Sequence, residues 1–298
     1  MAAQPHEPHA LHLPSSVELR RVQLRSRRLV TGDLLGQYRS AFRGTGLVYT
    51  DIRAYQPGDD VKHIHWKATA RTGTVFVKSY EEDRQLRVLL AVDASASMRA
   101  PQATQAFAKA LEFCSMVGAM TQRGNDLLGL LLFSNDIITY LPPKSGKKRC
   151  NQVISQLIEA RLPSPGTDMA KGLRHISSTL RKPSIVFVIS DFLCASFTSE
   201  LKTLSAVHDV VLVQIQTPIE SLPTLGLVNF TDAESGETIV VDTSSRSVRK
   251  SLIEILKKHL SETSDSARAC RADHIVVTDS ATRPLVRLMR ERATRALR

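Results

Sequence analysis

Three short segments carry oxygen-bearing side chains at points where buried strands or helices are predicted to end or begin. Asp93-Ala94-Ser95-Ala96-Ser97 follows the apolar run at 86–92, and Ser190-Asp191-Phe192 follows the run at 185–189. Pro165-Gly166-Thr167-Asp168 lies between them, at a predicted helix start. Carboxylate and hydroxyl oxygens are hard ligands that suit Mg²⁺, with Mn²⁺ or Ca²⁺ as substitutes, rather than zinc. We therefore expect these segments to form a divalent-cation site.

The spacing within the first segment has a geometric reason. In an extended chain every second side chain points the same way, so Asp93, Ser95 and Ser97 can converge on one point. The small Ala94 and Ala96 are then directed away. The alternative is an ordinary turn that caps the next helix, because Asp and Ser both favour such positions.

The surrounding elements must bring these segments together. Near-continuous apolar runs at 86–92, 127–133, 185–189 and 210–215, with a last strand at 274–277, are typical of strands buried on both faces. Helical segments alternate with them, at about 101–122, 147–160, 168–180, 198–207, 245–269 and 281–297, and a hairpin is predicted at 227–242. This order predicts a doubly wound α/β fold with a mainly parallel sheet. In such sheets ligands bind beyond the carboxyl ends of the strands, where the strand order reverses.

The order of an Asp-x-Ser-x-Ser motif, then a Thr, then an Asp resembles the metal-ion-dependent adhesion site of von Willebrand factor A-type domains. The resemblance implies that Ser95, Ser97 and Thr167 bind the metal through their hydroxyls. Asp93 and Asp191 would act directly or through water, and Asp168 would support the site by hydrogen bonding. A carboxylate from a partner protein completes the coordination sphere in that family, which implies a binding protein and not an enzyme.

A longer resemblance lies upstream of this site. The blocks RGTG at 43–46, DIRAYQPGDD at 51–60 and IHWKATAR at 64–71 resemble the signature of the bacterial domain-of-unknown-function family 58. In that family the block precedes a von Willebrand A-like domain, which divides this chain into a lead-in with a basic helix (1–31), a small β-rich subdomain (32–84) and an α/β domain (85–298). Members are often encoded beside MoxR-type AAA+ ATPases, so the resemblance implies such a partner. Many members carry transmembrane helices ahead of the block, and this sequence shows none.

The polar residues of the upstream block have two interpretations. Ion pairs could fix a small subdomain around Trp66, the only tryptophan of the chain, as a packing anchor. Alternatively the block forms a face that binds a partner. The residues concerned are Arg43, Arg53, Asp59, Asp60, His65, Trp66 and Arg71. His63 and His65 alternate on what the pattern suggests is a strand, but a third metal ligand is missing.

Charge and composition leave further hypotheses open. The net charge is +11, with five arginines between Arg20 and Arg28 and six between Arg283 and Arg298. These clusters could bind nucleic acid or an anionic membrane surface, although a 5% aromatic content argues against nucleic acid. The four cysteines lack metal-ligand spacing, which favours reduced, buried thiols. With no long apolar run and no signal pattern, we expect a cytoplasmic protein with no transmembrane segment.

Nucleotide-binding and hydrolase motifs are absent from the sequence, including the phosphate-binding loop and the nucleophile elbow. A Mg²⁺-dependent hydrolase of phosphate esters stays open as an alternative, because Asp93 would stand at a strand end beside a metal. In such enzymes a second aspartate commonly follows two positions later, where this chain has Ser95.

Overall fold

The computed structural model describes residues 29–42, 52–56, 64–78, 85–99, 104–159, 166–216, 226–231, 238–242 and 244–296. Nine helices and ten strands lie in these ranges. In chain order they are α1 (Gly32–Phe42), β1 (Ile52–Ala54), α2 (Trp66–Thr72), β2 (Phe76–Lys78), β3 (Arg87–Asp93), α3 (Ala96–Arg99), α4 (Thr104–Gly124), β4 (Leu127–Phe133), β5 (Ile137–Lys144), α5 (Arg149–Glu159), α6 (Met169–Thr179), β6 (Ile185–Ser190), α7 (Thr198–Ser205), β7 (Asp209–Ile215), β8 (Leu227–Thr231), β9 (Thr238–Asp242), α8 (Arg246–Ala269), β10 (Asp273–Val277) and α9 (Thr282–Ala296).

The main sheet has six strands in the order β10-β7-β6-β3-β4-β5. The first five run parallel, and β5 pairs antiparallel with β4 at the edge. From β3 the chain moves outward to β4 and β5, then crosses back to β6 on the other side of β3. The predicted doubly wound α/β class is therefore confirmed, and the carboxyl end of β3 is where the strand order reverses.

Alternate side chains of the buried strands enter two separate cores, as the pleat of a sheet requires. Leu90 of β3 belongs to the core on one face, together with residues of α1, α4, α5 and α9. Leu89 and Ala91 belong to the core on the other face, with residues of α6 and α7 and the end of α8. Both faces of β3 are thus covered, which explains why its sequence is a continuous apolar run.

The edge strand β5 contains Pro142 and Pro143, and the sequence pattern did not predict it. Proline lacks an N–H group, so it is confined to edge strands and irregular positions. Pairing between β4 and β5 is indeed irregular near Gly129, where the register shifts between the Leu128 and Leu130 pairs. Gly129 allows the backbone of β5 to approach closely, because a Cβ atom there would lie 2.8 Å from the Leu141 carbonyl oxygen.

Helix α1 packs into the main core, whereas the sequence placed its residues in the small subdomain at 32–84. The ring centroids of Phe42 and Phe187 of β6 are 5.8 Å apart, and those of Phe113 and Phe187 are 5.4 Å apart. Tyr38 is fully buried in the same cluster. Local sequence pattern makes residues 32–42 a helix. The aromatic contacts then fix the position of that helix, because they join elements that are far apart in sequence.

The described part of the upstream block combines two short strands and a helix. It holds a two-stranded antiparallel pair, β1 with β2, and the seven-residue helix α2. His65 is the N-cap of α2, and its Nδ1 accepts a hydrogen bond from the Ala68 N–H at 3.0 Å. The interpretation of His65 as a strand residue is therefore wrong.

The C-terminal part of the chain closes the sheet. The predicted hairpin is confirmed as β8 and β9, which pair antiparallel, and the 24-residue helix α8 leads to β10. On α9, Arg292 donates to both carboxylate oxygens of Asp209 at 2.6 and 2.8 Å and to Asp273 at 2.6 Å. Its guanidinium also lies 4.7 Å from the centroid of the Phe42 ring. Arg292 thereby ties α9 to the amino ends of β7 and β10 and to α1.

Several predicted features lie outside the described residues. They are the lead-in with its basic helix as far as residue 28, and the side chains of Arg43, Asp59, Asp60 and His63. Within the described ranges, no helix combines the length and apolar character needed to cross a bilayer.

Candidate metal centre

Asp93 is the last residue of β3 and lies at the point where the strand order reverses. Its side chain is fully buried. The Ser95 N–H donates to Asp93 Oδ1 at 2.9 Å, and the Ser190 hydroxyl donates to Oδ2 at 2.6 Å. Among the described residues no Lys, Arg or His side chain pairs with this carboxylate. Asp93 is therefore a buried anion held by neutral donors only.

Burial, and after it the nearby charge of Asp191, together raise the pKa of Asp93 from 3.8 to about 6, against the hydrogen bonds from Ser190 and Ser95. Both causes disfavour the ionised carboxylate. A cation placed beside Asp93 would act in the opposite direction, because an opposite charge favours ionisation. The electrostatic surroundings of Asp93 thus suit a site that receives a positive ion.

Ser95 and Ser97 place two hydroxyls beside this carboxylate. The Ser95 and Ser97 Oγ atoms are 3.0 Å apart, so they share one small region. The predicted convergence of the two serines is present, but its geometric reason is only partly right. Residues from Ala96 onward form the short helix α3, so Ser97 lies in a helical turn and not in an extended loop.

Ser190 and Asp191 approach from the neighbouring strand β6. Ser190 ends the strand, and its Oγ both donates to Asp93 and accepts the Phe192 N–H at 2.9 Å. Asp191 is partly exposed, and its Oδ1 accepts the Leu193 N–H at 3.0 Å. Phe192 has a positive φ of 60°, a conformation that non-glycine residues adopt uncommonly. This sharp turn keeps Asp191 at the carboxyl edge of the sheet.

Thr167 and Asp168 lie on the opposite side, beside the end of β4. The Asp168 N–H donates to the Ser134 carbonyl at 3.1 Å, and Ser134 directly follows β4. Asp168 is the N-cap of α6, because its Oδ1 accepts the Lys171 N–H at 2.7 Å. Thr167 is partly exposed on the same loop. The three predicted segments therefore meet at the carboxyl ends of β4, β3 and β6, which are adjacent strands.

A second layer of polar contacts reaches Asp191 from distant parts of the chain. The backbone carbonyl of Asp191 accepts hydrogen bonds from Gln214 Nε2 at 3.3 Å and from His259 Nε2 at 3.1 Å. His274 Nε2 donates in turn to Gln214 Oε1 at 2.9 Å. Sequence reasoning missed these residues because they come 23 and more positions later and form no local motif. It also missed Ser190, although that serine stood in the quoted segment at the end of its strand.

The donor set fits a hard divalent cation. It offers two carboxylates and three hydroxyls, from Asp93, Asp191, Ser95, Ser97 and Thr167. Among the described residues no group of three or more His, Cys, Asp or Glu side chains forms a metal-binding cluster. The four cysteines are free thiols, three of them buried, and Cys194 is partly exposed. Oxygen donors with few formal charges suit Mg²⁺, Mn²⁺ or Ca²⁺ better than zinc.

The remaining candidates from the upstream block lie elsewhere. Trp66 opens α2 with 68% of its surface exposed, so it does not anchor the packing of this unit. Tyr55 and Val75 are also exposed, at 38% and 40%, and the Tyr55 N–H donates to the Val75 carbonyl at 2.8 Å. Arg71 is exposed on α2, and Arg53 lies on β1. The unit thus presents aromatic surface to solvent.

The family is decided by a match along most of the chain. A family model described as "Protein of unknown function DUF58" matches residues 51–262. The chain belongs to this family. The matched range includes the two longer segments of the upstream block, at 51–60 and 64–71, and most of the main sheet, so the family predicted from the sequence is confirmed.

Relatives of this DUF58 chain include uncharacterized proteins from mycobacteria. Mb1516 of Mycobacterium bovis and Rv1480 of Mycobacterium tuberculosis are each 29% identical to it over 225 residues, which cover 73% of this chain and 70% of theirs.

Three solved structures are similar in overall chain path. BatB, a conserved hypothetical protein from Bacteroides thetaiotaomicron, is 15% identical, with a TM-score of 0.46 over 70% of this chain and 99% of BatB. A von Willebrand factor type A protein from Catenulispora acidiphila is 11% identical, with a TM-score of 0.42 over 75% of this chain and 44% of its own. Proximal thread matrix protein 1 of the mussel byssus, with a zinc-occupied MIDAS motif, is 18% identical, with a TM-score of 0.35 over 47% and 40%.

Proposed function

We propose that this chain is a divalent-cation-dependent protein-binding protein, whose metal is held by Asp93, Ser95, Ser97, Thr167 and Asp191. The observation that carries the proposal is the fully buried Asp93 carboxylate, which lies beside the Ser95 and Ser97 hydroxyls and has no cationic partner among the described residues. Asp191 and Thr167 stand on the loops at the two neighbouring strand ends. Buried charges in proteins are ordinarily paired or coordinate metals. Mg²⁺ is the proposed ion, with Mn²⁺ or Ca²⁺ as substitutes, and Asp168 orients the loop of Thr167.

The same donor set favours capture of an external carboxylate. Two carboxylates and three neutral hydroxyls are five donors, and Mg²⁺ takes six ligands, so at least one position would be left for water or for an external oxygen ligand. An acidic side chain of a partner protein is the proposed ligand. The protein's own residues hold and orient the site: Ser190 and the Ser95 N–H fix Asp93, and Gln214 and His259 fix the backbone of Asp191.

Metal titration tests this assignment. In isothermal titration with Mg²⁺, or in Mn²⁺ titration followed by electron paramagnetic resonance, the wild type should bind one ion saturably. Asp93→Asn and Ser95→Ala should each weaken binding at least about tenfold, a change of 1.4 kcal/mol. Asp136→Asn is the matched control, because Asp136 is an exposed carboxylate beside Ser134 at the same rim. Equal binding by all four proteins would exclude the site.

A MoxR-type AAA+ ATPase is the proposed partner, on the strength of the family resemblance, and the exposed aromatic surface at Trp66 is the proposed second contact. Trp66 is the only tryptophan, so intrinsic fluorescence reports its surroundings directly. Adding the purified ATPase should shift the emission to shorter wavelength as the indole is covered, and Trp66→Ala should weaken the complex without changing metal affinity. An unchanged spectrum in a complex that still forms would remove Trp66 from the interface.

The proposal also holds that the chain is not an enzyme. A screen of phosphate esters with and without Mg²⁺ tests this point. Turnover that requires metal and disappears in Asp93→Asn would favour the hydrolase alternative.

A further inference from the structure

A cavity of about 240 Å³ lies at the opposite rim of the sheet from the metal centre. Its walls come from the end of α4, the amino end of β4, and the segment that joins β5 to α5. Because β4 has seven residues, this rim is roughly 20 Å from the carboxyl edge, at about 3.3 Å per residue. The volume corresponds to roughly eight water molecules at liquid density. A small ligand fits here, but not a folded partner.

The wall contains a buried guanidinium for which the described part of the chain offers no counter-charge. Arg149 is only 9% exposed. Its Nε donates to the Leu128 carbonyl at 2.9 Å, and its two terminal nitrogens donate to Gln152 Oε1 at 2.7 Å and to the Pro142 carbonyl at 2.5 Å. These bonds use three of the five N–H groups of a guanidinium. Among the described residues no carboxylate forms an ion pair with Arg149.

Comparison with Arg292, whose side chain is 11% exposed, makes the difference clear. Arg292 is neutralised by Asp209 and Asp273, and these partners outweigh burial and raise its pKa. Burial lowers the pKa of Arg149 below the ordinary value for arginine, and no carboxylate among the described residues acts against this effect. Removing one partner of a buried ion pair ordinarily leaves a costly uncompensated charge. Arg149 is such an uncompensated charge among the described residues, and it lies beside a cavity.

A second cation and a polar loop extend the same wall. Lys147 lines the cavity, together with Ser145 and Gly146, and it lies two residues before the start of α5 in the sequence KSGKKR at 144–149. Gln122 Nε2 donates to the Lys147 carbonyl at 2.7 Å and holds this loop against α4. Cations at the start of a helix suit oxyanions, because the positive end of the helix dipole adds to their charge.

The one acidic residue among those that line the cavity, Asp126, accepts a hydrogen bond from the backbone. Asp126 Oδ1 accepts the Leu86 N–H at 2.9 Å, and Oδ2 lies over Gly124, where a Cβ atom would approach it to 2.5 Å. It makes no ion pair with Arg149. The wall therefore carries two cations, Lys147 and Arg149, against one carboxylate that serves another contact.

We propose that this cavity binds the phosphate group of a small molecule, with Arg149 and Lys147 as the charged ligands and the Ser145 hydroxyl as a further donor. Planar guanidinium groups suit phosphate because two N–H groups can contact it together. The site would be separate from the metal centre and does not depend on it. A free phosphate ion and a phosphate monoester share this chemistry, and the cavity has space for a few atoms beyond the phosphate.

The test is isothermal titration of the full chain with inorganic phosphate in EDTA, with NaCl added to hold ionic strength constant. EDTA keeps any ion at the metal centre from contributing. Saturable binding is expected, and Lys147→Gln should weaken it at least about tenfold because a charge-assisted contact is lost. Lys148→Gln is the matched control, since Lys148 is adjacent and exposed but does not line the cavity, and it should change affinity less than about twofold.

Arg149→Gln should abolish binding, and circular dichroism shows whether that variant folds. If it does not fold, Lys147→Gln decides alone, because Lys147 is exposed and its side chain supports no core contact. A parallel titration with glycerol phosphate distinguishes an ester ligand, which should bind more tightly than inorganic phosphate, from the free ion. Heat that does not saturate, or equal losses in Lys147→Gln and Lys148→Gln, would overturn the proposal.

Discussion

Replacing Asp93 with Asn removes a buried negative charge while keeping the shape of the side chain. In the metal-free protein this change should increase stability at neutral pH. The reason is that the folded state raises the pKa of Asp93 from 3.8 to about 6. A carboxyl group with a raised folded-state pKa costs stability once pH exceeds its unfolded value, and the full cost is present above the folded value.

The size of the effect follows from these two values. A change from 3.8 to about 6 corresponds to roughly 3 kcal/mol at pH 7.5. Asn offers one acceptor oxygen where Asp93 uses two, so either the Ser95 N–H or the Ser190 hydroxyl must find a new arrangement, at a cost of about 1 kcal/mol. The net gain is then about 2 kcal/mol, or roughly 5 °C in Tm for a chain of this size.

Thermal unfolding measures both the higher stability of Asp93→Asn without metal and the loss of Mg²⁺ binding by this variant. In EDTA at pH 7.5, Asp93→Asn should melt above the wild type, and the gap should narrow as pH falls from 6 towards 4. Adding Mg²⁺ should raise the Tm of the wild type and leave that of the variant unchanged. Asp191→Asn, which removes the second cause of the raised pKa, should stabilise the metal-free protein less. A variant that melts lower in EDTA, or a gap that is the same at every pH, would refute the reasoning.

Three other outcomes follow from contacts away from the metal centre. Arg292→Met should lower the free energy of unfolding by about 2–3 kcal/mol, since it leaves Asp209 without its cation and Asp273 with Arg295 alone. Arg295→Ala, at the exposed end of the same cluster, should cost less than about 1 kcal/mol. Urea denaturation followed by circular dichroism compares the two variants, and equal losses would contradict the assignment. Burial works to raise the pKa of Asp273, but its two arginines outweigh this and leave the pKa lowered. Its contribution to stability should therefore be present above about pH 4 and be lost as pH falls further, and an acid titration of unfolding should show a smaller loss in Arg292→Met than in the wild type. Gly129→Ala should destabilise by about 1–3 kcal/mol, because the new Cβ must push the Leu141 backbone of β5 away; a Tm equal to that of the wild type would show that β5 yields freely.

The sequence predicts the buried strands well because a parallel strand covered on both faces must be apolar along its whole length. Strand β4 has the predicted bounds, and β3 and β6 differ from them by a residue or so at their ends. Strand β5 escapes prediction because an edge strand is only partly buried and contains Pro142 and Pro143. Helix α3 is not predicted, because its four residues are too few to show a helical pattern of apolar side chains.

In the candidate site, too, some residues are predicted by local sequence pattern and others are brought in only by tertiary packing. Asp93, Ser95 and Ser97 are close in sequence, so spacing alone brings them together, and parallel strand ends predict the position of Asp191. His259 and Gln214 reach the same loop only through the packing of α8 and β7, which no local pattern encodes. Trp66 shows the opposite case, since its large apolar surface suggests burial and yet it lies in solvent.

The prolines of β5 also affect how this molecule behaves at high concentration. An incoming strand from another chain needs N–H donors along the free edge, and Pro142 and Pro143 supply none. Copies of the chain are thereby hindered from joining through β5, one of the two edges of the sheet, and edge-to-edge joining is an ordinary route to aggregation for an open sheet. The outer side of β5 protects the colloidal stability of the protein, while binding is left to the loops at the ends of the strands.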